Sequence, residues 1–192
     1  MAFQGNFLII DASGAELFLA AGNAKEHRFF SGNGEARRHS SEILVQTERL
    51  LCELGLTPAD LDVIGAVSGP GSFTGIRIGV TTANALARAT GARLISFTAL
   101  EAIACDMSEG LSLMDCKHSN YYALLKLDGE ERYFAASEEE LKRDYPSLPR
   151  VFYSAPDPEL YIKTFLQKLE KEEFASLVRP FYIKKSSAEV SG

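Results

Sequence analysis

The segment Val67-Ser68-Gly69-Pro70-Gly71-Ser72-Phe73-Thr74-Gly75-Ile76-Arg77-Ile78-Gly79-Val80 holds the densest set of residues able to do chemistry. A buried-strand pattern runs into a loop with Gly69, Pro70, Gly71 and Gly75, and then into a helical pattern. Glycines at this spacing admit positive φ and close approach, and Ser72 or Thr74 can cap the helix. Free amides at a helix N-terminus suit an anion or a partner's carboxylate. The loop fits no standard phosphate motif, however. Ile76 and Arg77 follow Gly75 where a P-loop needs Lys-Ser/Thr, and the spacing departs from Gly-x-Gly-x-x-Gly. Arg77 falls in the first helical turn, where its charge opposes the helix dipole, so an external carboxylate or phosphate would rationalise it. Asp11 ends an apolar run and can cap the turn at Ser13-Gly14.

The remaining reactive residue types form no constellation. His27, His39 and His118 include no i, i+4 pair of the kind that binds zinc or iron. Cys52, Cys105 and Cys116 are odd in number and lack Cys-x-x-Cys spacing, which argues against a disulfide framework or zinc knuckle and suits a reducing cytosol. Ser68 and Ser72 lie in no Gly-x-Ser-x-Gly elbow. The predicted catalytic set and metal set are therefore empty.

The elements that must position these residues follow from periodicity. Strands are predicted at 6–11, 15–21 and 25–30, separated by the turn formers Ser13-Gly14 and Gly22-Asn23. A helix over 41–54 carries Ile43, Leu44, Thr47, Leu50, Leu51 and Leu54 at helical spacing and stops at Gly55. Then come a short helical turn at 57–60, a strand at 63–68, the glycine loop, a helix at 75–89, a strand at 93–97 and a helix at 98–105. In the helix after the loop, Gly75, Gly79, Ala83 and Ala87 recur every fourth residue as one small-residue ridge, which can pack on this chain's own sheet, on helix 41–54, or on another protein. The second half reads as strands at 111–115, 120–127 and 131–135, a helix at 137–144, a strand at 150–153 and a helix at 157–170. A boundary is predicted near 105, giving a first lobe of residues 1–105 and a smaller α/β lobe of 106–192 whose C-terminal segment can return to the first.

Bulk properties narrow the partners. The 192 residues are 46% apolar and 24% charged, ordinary for a globular protein. The formal charge is −6, and basic residues are outnumbered by acidic ones both before and after residue 105, so unaided tRNA binding is disfavoured. The apolar run 7–10 is too short for a signal-peptide core and no run approaches membrane-spanning length, so an unexported, cytoplasmic protein is expected.

As a string, Gly-Pro-Gly-Ser-Phe-Thr-Gly-Ile-Arg-Ile-Gly over 69–79 strongly resembles the signature of the TsaB (YeaZ) family, the non-catalytic partner of TsaD in the bacterial complex that makes threonylcarbamoyladenosine on tRNA. Phe7–Ser13 is similar to that family's opening strand, with Ala12 for threonine. His39-Ser40-Ser41-Glu42 resembles its His-Ser-Glu helix start, Thr98–Ala102 its Ser-Ser-Leu-Glu-Ala, and Pro180–Lys184 its Pro-x-Tyr-x-Arg. The likeness covers most of 7–104 and thins beyond. It implies the two-lobed α/β fold of actin-like and sugar-kinase-like (ASKHA) ATPases with a shortened second lobe. It also implies a scaffold that pairs with TsaD, or with a second copy of itself, through helices 41–54 and 75–89. His39, Glu42, Arg77, Gly75, Gly79, Ala83 and Ala87 become interface candidates. TsaE is a further partner, tRNA is reached only through the complex, and ATP is used by the complex with no cofactor held tightly by this chain. By register, the two histidines of TsaD's His-Leu-Glu-Gly-His metal motif fall on Ala99 and Ile103. Asp11, Gly69, Gly71 and Ser72 would be the remnant of a nucleotide loop, since actin-like ATPases place a carboxylate near metal-bound phosphates at the position of Asp11. The rival class is an enzyme, either a phosphotransferase or ATPase using Asp11 and the 69–75 loop, or a metallopeptidase-like activity.

Overall fold

The computed structural model describes residues 3–23, 25–32 and 39–183, with His39 placed through its backbone alone. Two sheets alternate with helical layers. The first sheet has the strand order β10-β5-β4-β1-β2-β3, built from β1 (Phe7–Asp11), β2 (Leu17–Gly22), β3 (His27–Gly32), β4 (Val63–Val67), β5 (Arg93–Phe97) and β10 (Phe174–Ala175). Strands β1, β4 and β5 run parallel, and β2, β3 and β10 complete the sheet antiparallel. The second sheet has the order β8-β7-β6-β9, from β6 (Gly110–Asp115), β7 (Asn120–Leu127), β8 (Glu130–Ser137) and β9 (Arg150–Phe152).

Strands β1, β2 and β4 are buried at every residue, because helices cover both faces of the first sheet. On one face α1 (His39–Glu53) and α2 (Phe73–Thr90) pack on Leu8, Ile10, Leu19, Ile64 and Ala66. On the other, α3 (Ala99–Ile103) and α5 (Pro158–Glu170) pack on Phe7, Ile9, Phe18 and Val67. Met114 and Leu124 of the second sheet close that same core, while α4 (Glu138–Asp144) covers the sheet's far side through Leu141.

This is the mixed α/β, ASKHA-type architecture expected from the sequence. Two details differ from the periodicity. Strand β3 begins at His27 because Asn23 folds the preceding turn: its side-chain oxygen accepts from the amides of Lys25 and Glu26. Helix α5 lies beyond the boundary at residue 105, yet it packs on the first sheet, where Phe165 fills the notch left by Gly65. After α5 the chain stays there. Strand β10 joins the free edge of β5, the Asn84 side chain holds both backbone groups of Val178, and the Phe181 amide donates to the Ser68 carbonyl at 2.9 Å.

Candidate functional site

The glycine loop is closed down on the turn between β1 and β2. Ser72 caps α2 by accepting from the Gly75 amide at 3.2 Å, while its own amide donates to the Ser13 carbonyl at 2.7 Å. A Cβ at Gly71 would lie 2.3 Å from that carbonyl oxygen, and one at Gly75 would lie 2.0 Å from the Ala12 carbonyl oxygen. Glycine is required at these two positions because another stretch of backbone occupies the space a side chain would need. The structure thus brings Asp11, Gly71 and Ser72 around Ala12-Ser13. Gly69 is turned elsewhere, with its Cβ direction 2.6 Å from the Phe181 carbonyl oxygen.

Asp11 is fully buried. One carboxylate oxygen accepts from the Ser13 amide at 2.7 Å and the other from the Tyr161 hydroxyl at 2.8 Å, so the residue ties the β1–β2 turn to α5. Burial raises the Tyr161 pKa well above the usual phenol value, and the neighbouring Asp11 charge raises it further, so Tyr161 remains a donor. Tyr153 is pushed up by the same two causes in the same order.

The small-residue ridge faces inward. Gly75, Gly79, Ala83 and Ala87 are all buried against this chain's own first sheet, with Gly79 meeting Ala12. As candidates for direct contact with another protein these four are corrected: their smallness is spent on seating α2 close to β1. The outward side of α2 carries Thr74, Arg77, Thr81, Ala85 and Arg88. Beside it, α1 exposes Leu44 and Val45 to 54% and 61%, while Glu42 is half-buried at its first turn. The His39 side chain lies outside the described residues, as do Lys184 and Lys185.

Arg77 has intramolecular partners. Its guanidinium sits 3.9 Å over the Phe73 ring, and its Nε donates to the Tyr182 hydroxyl at 3.2 Å, with Tyr182 stacked on Phe73. The charge that opposes the helix dipole is thus held by an aromatic face, without need of an external anion.

Ala99 is fully buried and Ile103 half-buried, and neither side chain carries a metal-ligating atom. Between them Glu101 completes a capping box, accepting from the Thr98 amide at 2.6 Å, and pairs with Lys168 at 2.7 Å. These residues do not fit a transition metal. Among the described residues no group of three or more His, Cys, Asp and Glu side chains is placed to hold one. No helix among them is long and apolar enough to cross a membrane.

A cleft of about 700 Å³ opens between the sheets, lined by the turns after β1 and β6 together with Tyr122, Tyr153 and Ser154. Sequence reasoning missed Tyr153 and Tyr161. Tyr161 reads as one more apolar position at i, i+4 from Phe165, and nothing local shows that its hydroxyl meets an aspartate 150 positions away.

The chain is similar to known proteins in sequence and in fold. Residues 33–155 match the family model described as "TsaD: tRNA N6-adenosine threonylcarbamoyltransferase". A tRNA N6-adenosine threonylcarbamoyltransferase of Erythrobacter litoralis is 36% identical over 94 residues, covering 49% of this chain and 26% of that protein. An uncharacterized protein of Mycobacterium tuberculosis is 31% identical over 96 residues, 50% of this chain and 46% of the other. The chain therefore spans about a quarter to a half of the length of these relatives. Among solved structures, YeaZ from Pseudomonas aeruginosa superposes with a TM-score of 0.71 at 17% identity, covering 94% of this chain and all of that one. A second Pseudomonas aeruginosa protein, described as similar to peptidase YEAZ, gives 0.75 at 18% identity over the same shares. With the YeaZ fold, the glycine segment's likeness to TsaB (YeaZ) and a family model covering well over half its length, the chain belongs to the TsaD-type family of tRNA threonylcarbamoyladenosine proteins.

Proposed function

We propose that this chain is a TsaB-like scaffold that binds TsaD and supports it, together with TsaE and ATP turnover, in transferring a threonylcarbamoyl group to an adenosine of tRNA, without a catalytic site of its own. The observation that carries this reading is the pair Ala99 and Ile103, which offers no metal ligand where the catalytic relative has its histidines, with Glu101 between them engaged by Lys168. The contact surface is the outward side of the helix pair. Leu44, Val45 and Glu42 of α1, with the His39 position, lie beside the stripe of α2 that includes Arg77. The apolar residues of that surface supply a centre for docking and the charged ones its rim. A second copy of this chain is the alternative occupant when TsaD is absent. The cytosol is the compartment in which such a complex would work.

The test is reconstitution. Added to TsaD, TsaE, the threonylcarbamoyl donor, ATP and tRNA, the chain restores threonylcarbamoyladenosine synthesis, and alone it makes none. Leu44→Glu, with native circular dichroism, abolishes co-elution with TsaD and reduces synthesis by about tenfold or more. Synthesis by the chain alone, or full co-elution of the Leu44→Glu variant, would overturn the proposal.

A further inference from the structure

At the opposite end of α2 from the glycine loop, a groove of about 420 Å³ runs between the helix and the chain that returns through β10. Its walls are fixed to the rest of the fold. Phe174 and Ala175 pair with β5, and further on the Asn84 side chain holds both backbone groups of Val178 to α2. The lining is apolar at Ala87, Leu94, Phe174 and Leu177, and Leu177 remains 54% exposed. An exposed leucine alone means little, but this one continues the apolar lining of a preformed groove, where a partner's apolar side chain can meet it.

The charged side chains of the groove are all of one sign. Arg88 and Arg93 line it, and no acidic residue does. Glu172 and Glu173, beside Phe174 in the chain, and Asp62, whose carbonyl accepts from the Arg93 amide, lie outside the lining. Glu173 is drawn to Lys168, and the Asp62 carboxylate accepts from the Asn6 amide. Neither arginine has an ion pair or a side-chain hydrogen bond among the described residues. Arg88 sits in the last turn of α2, where offsetting the helix dipole would account for it. Arg93 lies in a strand and has no dipole to offset. Its guanidinium stands 4.0 Å over the Phe174 ring, a contact that uses the face of the planar group and leaves the in-plane N–H donors for a carboxylate. The helix end decides against a bare phosphate. Helix α2 closes at Gly91, a lining residue, so its carbonyl end sets hydrogen-bond acceptors beside the guanidinium donors. A peptide brings amide donors as well as carboxylates, whereas inorganic phosphate or a nucleic-acid backbone brings negative charge without those amides.

We propose that this groove docks an acidic, leucine-bearing segment of a partner protein, with its carboxylates on Arg88 and Arg93 and its apolar side chain against Phe174 and Leu177. The groove shares no lining residue with Leu44, Val45 and Arg77, so the proposal stands whether or not the scaffold reading holds. Fluorescence anisotropy of the full chain tests it with three labelled probes: the peptide Glu-Leu-Glu-Glu-Leu-Glu, the same peptide with glutamine for every glutamate, and a short polyuridine RNA. The acidic peptide binds saturably, and the glutamine peptide and the RNA bind at least about tenfold more weakly. Arg93→Glu weakens the acidic peptide about tenfold, and Arg88→Glu does likewise, both with native circular dichroism because the two side chains are exposed. Leu177→Ser weakens the acidic and glutamine peptides by the same factor, about threefold, since it removes apolar contact and no charge. Absence of saturable binding by the acidic peptide overturns the proposal. So does a glutamine peptide or an RNA that binds as tightly, or acidic-peptide affinity that neither charge reversal changes.

Discussion

The two sheets open with the same device and use it differently. Strand β1 ends in Asp11, which accepts from the amide two residues on, at Ser13, at 2.7 Å. Strand β6 ends in Asp115, which accepts from Lys117 in the same way at 2.8 Å. Each aspartate initiates the turn into the next strand by mimicking a backbone carbonyl. There the likeness stops. Asp11 is buried beneath α2 and α5, and Tyr161 takes up its second oxygen, whereas Asp115 is exposed on the wall of the cleft. The first turn is also clamped by the glycine loop. The second has no such clamp and passes through Lys117, His118 and Ser119 with φ of 77°, 55° and 59°, three successive left-handed residues without a glycine. The same local chemistry therefore makes a structural joint where a helix covers it and an open rim where none does.

That contrast can be broken first at the clamp. Gly75→Val would drive a side chain into the Ala12 carbonyl, which as backbone cannot move aside cheaply. We expect a loss of about 3 kcal/mol or more, seen as a collapsed urea midpoint. A loss under about 1 kcal/mol would show that the loop does not rest on the first turn. Next comes the buried acceptor. Tyr161→Phe removes the buried hydroxyl that donates to Asp11 and should cost about 2 kcal/mol in urea unfolding, while Asp115→Ala should cost less than about 1 kcal/mol because water replaces what is lost. Equal costs would erase the distinction between joint and rim. The smallest effect is a gain. Ser119→Gly should relieve the left-handed penalty at one of the three strained positions and raise stability by about 1 kcal/mol, read from thermal unfolding. No gain would mean that this turn is not held in the left-handed region.

Much of the molecule is legible in the chain because the signals are local. The Ser72 cap of α2, the end of α1 just before Gly55, and the unbroken apolar runs of β1 and β4 all depend on residues within a turn or a strand of one another. Strand β10 was not legible, since a two-residue strand carries no period. The candidate site was half legible. The spacing of Gly75, Gly79, Ala83 and Ala87 announced a close contact, but a repeat of small residues does not say which neighbour approaches it.

What the sequence by itself determined is the order of elements, their caps and turns, the ASKHA-type class and the kinship carried by residues 69–79. Each of these rests on short-range stereochemistry or on an unbroken string. Only the tertiary structure decided that the ridge of α2 faces β1, that Arg77 is held between Phe73 and Tyr182, that α5 belongs to the first sheet, and that Asp11 is a buried joint. The physical reason is common to all four. Burial and hydrogen-bond completion belong to pairs of residues far apart in the chain, such as Asp11 with Tyr161 and Arg77 with Tyr182, and no local pattern encodes the partner until the sheets and helices have packed.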